Sequence, residues 1–129
     1  MKTGDAPAPD PLLRELRQDL DAIDTILLNA LLLRHQATRR VGRVKGDRDI
    51  PVMQPDRVRV VLRRATEFAL EHGMSPSALQ DVFTTLISDA CRREEGEPAH
   101  AGPAEAGQAA QDRIEALVGS IENRAHTAD

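Results

Sequence analysis

Between Pro11 and about Gly46 the apolar residues keep a helical period without interruption. Leu16, Leu20, Ile23, Leu27, Ala30, Ala37, Val41 and Val44 follow one another at alternating steps of four and three once Arg34 is counted as a member. The spacing predicts one helix, which at ~1.5 Å per residue runs for ~50 Å. That is longer than any core a chain of 129 residues can wrap around it. A helix of this kind usually finds its partner surface on a second chain.

The stretch DRDIPVMQP ends the helix, because Pro51 and Pro55 have no amide hydrogen and push the residues before them out of the helical basin. Pro55 then suits the first turn of a second helix, expected from Pro55 to His72, with Asp56 near its positive end and Gly73 as its stop. Ser75 and Pro76 read as the cap and first-turn proline of a third helix. It carries Leu79, Val82, Phe83, Leu86, Ile87 and Ala90 on one face up to about Glu95. The expected fold is all-α, with three helices in one domain over residues 11–95. Residues 1–10 read as a disordered tail and residues 96–110, rich in Gly, Pro, Ala and Glu, as a flexible linker. Ile114, Leu117, Val118 and Ile121 recur at helical spacing, so residues 111–129 are expected to hold a short amphipathic helix and tail.

Composition removes several function classes. Aromatic residues are only 2% of the chain, with no Trp or Tyr, which argues against a nucleic-acid stacking platform or an aromatic cage. A single cysteine, Cys91, forms no internal disulfide, and the four His residues at 35, 72, 100 and 126 show no metal spacing. No apolar run reaches the ~20 residues of a membrane span, and MKTGDAPAPDP has no apolar stretch to act as a signal peptide. The expectation is a cytoplasmic protein with no membrane, metal or cofactor.

The net charge of −4 conceals a segregation of sign. From Arg34 to Arg64 there are ten Lys or Arg against three Asp, and from Glu94 to Asp129 eight Asp or Glu against two Arg. A basic centre in an acidic chain points to a local site for a small anion rather than to nucleic acid. Arg34 stands in the apolar run ALLLRHQA at a seam position, where a guanidinium is not buried without an anion. Its neighbours one turn away, Ala30, Leu31, Ala37 and Thr38, offer no acid. Lys45 returns to within about 20° of the same face, ~16 Å along the axis, so two long side chains can converge on one dianion. Arg17 is about 100° round and ~25 Å from Arg34, out of reach within one straight helix but available to a site on a neighbouring subunit. The plainer reading makes all three solvated surface cations.

These residues resemble the AroQ-type chorismate mutases, the all-helical class in which two chains intertwine through long first helices. The resemblance runs from about Leu13 to Glu95. Its first block is LRQDLDAIDTILLNALLLRHQATRRVGRVK, in which L-R, I-D, L-x-x-R and V-G-x-x-K keep the family's order and spacing. The resemblance implies an intertwined homodimer with shared active sites and a small dicarboxylate substrate. It makes Arg17 the arginine lent across the dimer to a substrate carboxylate and Arg34 the carboxylate ligand from the same chain. Lys45 becomes the donor to the ether oxygen of the breaking bond, and Arg57, in QPDRV, matches the arginine that starts the second helix.

The chain departs from the pattern for chorismate itself at four places. Val58 stands where the family has a glutamate for the C4 hydroxyl, Gln54 where an acid is usual, Ala90 for a carboxylate-binding serine, and Glu94 for the glutamine that shares the ether oxygen. A site without its acceptor for a hydroxyl loses its preference for that hydroxyl. Two relatives have valine there: the isochorismate pyruvate lyases, with a similar run to Ile50-Pro51 and Pro55-Asp56-Arg57-Val58, and the 4-amino-4-deoxychorismate mutases of antibiotic pathways. PVMQPDRV followed by LISDACRREE is more similar to the latter.

The implied reaction is a Claisen rearrangement, needing no nucleophile, metal or redox cofactor. Catalysis comes from holding the enolpyruvyl arm in a reactive chair and placing cations where charge develops. Glu94 helps at the ether oxygen only as the protonated acid, and otherwise is a solvated acid at the helix end. Other classes remain: a catalytically silent helical dimer that binds a partner protein through its apolar grooves, and a nucleic-acid binder using the basic centre.

Overall fold

The computed structural model describes residues 10–48, 54–94 and 106–127. It has four helices, α1 (Pro11–Asp47), α2 (Pro55–His72), α3 (Pro76–Glu94) and α4 (Ala106–Thr127), and no strand among the described residues. The expected tail falls largely outside the described residues, apart from Asp10. Asp10 starts α1: its carboxylate accepts the Leu12 amide at 2.8 Å and its carbonyl accepts the Arg14 amide at 3.0 Å. α1 then runs for 37 residues without a proline after its first position.

α2 begins at Pro55 behind the extended residue Gln54, whose carbonyl accepts the amides of Arg57 and Val58 at 3.0 and 3.2 Å. Its end is set by Gly73, whose φ of 68° lies in the left-handed region where a Cβ is strained. The chain turns there, the Met74 amide reaching the Ala69 carbonyl at 2.8 Å. Ser75 caps α3 by accepting the Ala78 amide on its Oγ at 3.2 Å.

The chain divides into two compact units, one formed by Met1–Arg34 with Pro103–Asp129 and the other by His35–Gly102. In the second, α2 and α3 make a tight antiparallel pair in which Ala65, Ala69 and Ala90 are buried. Their small side chains let the two backbones approach, and Gln80 Nε2 donates to Thr66 Oγ1 across the pair at 2.6 Å. In the first unit α4 runs antiparallel to the N-terminal part of α1. Arg124 forms an ion pair with Asp19, and Arg113 donates to Asn29 Oδ1 at 3.4 Å. Asn29 is itself buried and donates to the Thr25 carbonyl at 2.8 Å, so its polar atoms are paired.

α4 is a longer element than the sequence pattern indicates. It begins at Ala106, inside the stretch 96–110 read as linker, and spans 22 residues. The segment AGQAAQ lacks the bulky apolar residues that mark a helix face, but alanine has the highest helix propensity and Ala110 is fully buried. A small residue fits where two helices come close, and periodicity weighted by size passes over it.

The buried side chains among the described residues are four alanines and Asn29, with no large side chain fully buried. The large apolar residues are instead concentrated on α1, where Leu16, Leu20, Ile23 and Leu27 are 46–56% exposed. No helix of the described residues is long and apolar enough to cross a membrane.

Candidate active site

The candidate residues fall in both units. Arg17 and Arg34 belong to the first; Lys45, Gln54, Arg57, Val58 and Ala90 belong to the second. Helical periodicity places Arg34 and Lys45 on the α1 face that carries Leu16, Leu20, Ile23 and Leu27, and leaves Arg17 on its flank. Arg17 is exposed, whereas Arg34 and Lys45 are half-buried.

Acid partners separate the arginines. Arg59 pairs with Asp56, Arg63 with Glu67 at 3.8 Å, Arg92 with Asp89 at 3.5 Å, and Arg124 with Asp19. Arg34 has no acid partner among the described residues, although it is half-buried. A half-desolvated guanidinium of that kind keeps its fork of donors for an anion brought from outside. Of the arginines expected on a solvated cationic face, Arg40, Arg43, Arg63 and Arg64 are exposed, whereas Arg39 is half-buried.

The second unit brings the start of α2 level with the C-terminal part of α3. Thr66 and Gln80 meet across the antiparallel pair, and equal steps of about nine residues from that contact set Arg57 opposite Asp89, beside Ala90. Gln54 and Arg57 are exposed at the first turn of α2, Val58 is half-buried, and Ala90 is buried. The Gln54 side chain makes no cap to α2 and so is not committed to the helix end. Ala90 is buried and its side chain carries no hydrogen-bonding group. Glu94 is the last residue of α3, and its side chain lies outside the described residues, as do Ile50 and Pro51. Among the described residues no group of three or more His, Cys, Asp or Glu is placed to hold a metal ion.

Sequence reasoning passed over Asn29 and its partner Arg113. The only local signal was a polar residue amid LLNALLL, and its partner lies 84 positions away.

Comparison with known proteins converges on one family. The model for chorismate mutase type II matches residues 16–95. A 4-amino-4-deoxychorismate mutase of Streptomyces pristinaespiralis is 40% identical over 93 residues, covering 72% of this chain and 71% of the relative. A second protein of that name, from Streptomyces venezuelae, is 37% identical over 83 residues, 64% of this chain and 81% of the relative. A chorismate mutase of Methanocaldococcus jannaschii is 27% identical over 75 residues, 58% of this chain and 76% of the relative. No solved structure matches.

Proposed function

We propose that this chain, which belongs to the type II chorismate mutase family, rearranges 4-amino-4-deoxychorismate to 4-amino-4-deoxyprephenate. The observation that carries the substrate is the similarity to two relatives of that name at 40% and 37% identity, together with Val58 at the start of α2. A valine offers no acceptor for a C4 hydroxyl, so the site has no built-in preference for chorismate.

The enzyme works as an intertwined homodimer. Alanines alone do not hold a chain of this length together, and the exposed face of Leu16, Leu20, Ile23 and Leu27 is apolar enough to seat a second copy. Covering four half-exposed side chains of this size is worth on the order of 1 kcal/mol each. Each site then combines Arg34 and Lys45 of one chain with Arg17 of the other. Arg34 and the partner chain's arginine hold the two substrate carboxylates, and Arg57 adds positive charge at the start of α2. The carbon–oxygen ether bond breaks as the new carbon–carbon bond forms within the same molecule, so no atom is gained or lost. Lys45 Nζ donates to the ether oxygen as negative charge builds there, and the cations fix the chair in which the two ends meet.

Glu94 shares that oxygen as a neutral acid, since a carboxylate there repels the developing charge. If Glu94 acts as that neutral acid, activity falls as pH rises, and Glu94→Gln flattens the profile. Identical profiles for the two proteins would remove Glu94 from the site. The substrate is tested by incubating the purified protein separately with chorismate, isochorismate and 4-amino-4-deoxychorismate and identifying products. Rearranged amine is the expected result. Release of pyruvate from isochorismate, or faster turnover of chorismate, would overturn the assignment.

A further inference from the structure

The family match ends at residue 95, and α4 lies beyond it. α4 is nevertheless tied to the part of α1 that carries Arg17. From the geometry of this tie we infer that Arg124 is a positioning residue: through Asp19 it holds the N-terminal arm of α1 so that Arg17 reaches the active site of the partner chain. The inference rests on the shared-site reading above.

The tie has two anchors. Arg124, about two-thirds buried and held against Ser120 Oγ at 3.1 Å, pairs with Asp19; Arg113 donates to the buried Asn29. Ten residues on α1 and eleven on α4 separate the anchors, so the two helices run in register over about three turns. Asp19 is two residues from Arg17 and about 160° away round the helix, which puts α4 on one flank and leaves Arg17 exposed on the other. α4 thus braces the arm from behind without covering the side chain that works.

A long helix with few buried side chains bends easily, and Arg17 stands near its free end. A swing of about 5° about Asn29 moves position 17, ~18 Å away, by about 1.5 Å. Misplacement by about 1 Å costs a positioning group up to about 10²-fold. Arg34 lies beyond the clamp, five residues past Asn29, and is half-buried, so the clamp bears on the lent arginine and not on the resident one.

Mixed dimers test this directly. A chain with Arg34→Ala has no working site but lends Arg17; a chain with Arg17→Ala lends nothing but keeps a site. Each is inactive alone, and the pair has one competent site. With Arg124→Ala on the lending chain, KM at that site rises about tenfold while kcat changes less than about twofold. With Arg124→Ala on the site-holding chain, neither parameter moves, which also controls for a general loss of folding. The reversed pair Asp19→Arg with Arg124→Asp on the lending chain restores KM. Equal effects in both placements, or none in either, overturn the positioning role alone. Failure of the mixed pair to recover any activity overturns the shared site and this inference with it.

Discussion

α2 and α3 meet through residues 14 positions apart, as in Thr66 and Gln80, and are joined by a turn whose every feature is local. α1 and α4 meet through residues 105 and 84 positions apart, in an ion pair and a hydrogen bond, where α2 and α3 bury Ala65, Ala69 and Ala90 beside their Thr66–Gln80 hydrogen bond. The α2/α3 pair closes on itself. The α1/α4 pair does not: nine of the fourteen exposed large apolar residues among those described lie on α1. Two helices of one chain thus share a small core, while the longest helix uses its own chain for one flank and leaves its apolar seam exposed.

The contrast is broken most severely at Arg34. Replacing it with Ala removes a half-buried guanidinium that has no acid partner among the described residues, and kcat/KM falls on the order of 10³-fold. Thermal stability is unchanged or rises, because a cation has been taken off an apolar seam. A variant that loses stability in step with activity would mean Arg34 serves folding.

Two leucines sharpen the difference between the helices. Leu20 on α1 is 56% exposed and Leu70 on α2 is 68% exposed, so surface area alone ranks Leu70 as the worse exposure. Leu20→Asp is expected to dissociate the dimer at micromolar concentration, measured by sedimentation, with activity lost in proportion. Leu70→Asp changes stability within about 0.5 kcal/mol and leaves the assembly intact. Equal behaviour of the two variants would deny the seam its role.

The smallest effect belongs to the turn of the local pair. A Cβ on Gly73 meets nothing within 4 Å, so Gly73→Ala costs only the strain of φ 68°, about 1 kcal/mol, seen as a melting temperature lower by roughly 4 °C. Its catalytic constants at low temperature match the unaltered enzyme, since the turn lies at the far end of α2 from Arg57.

Much of this was legible in the chain. Proline at 55 and 76, serine at 75 and glycine at 73 mark the ends of α2 and α3 because their effects on φ and on backbone hydrogen bonding act within one turn. The extent of α1 was legible because its apolar period persists through Arg34, and that same interruption singled out Arg34 as the candidate anion ligand. The start of α4 was not, because AGQAAQ reads as linker until something stands close enough to bury Ala110.

By itself the sequence determined four helices, where three of them begin and end, and which cations share the α1 face, since all of these follow from backbone sterics and a 3.6-residue period. Only the tertiary structure decided that α4 returns to α1, that Asp19 and Asn29 are its anchors, and that Arg34 has no acid partner among the described residues. Pairings between distant residues depend on which surfaces meet when the chain folds back, and a one-dimensional pattern holds no record of that meeting.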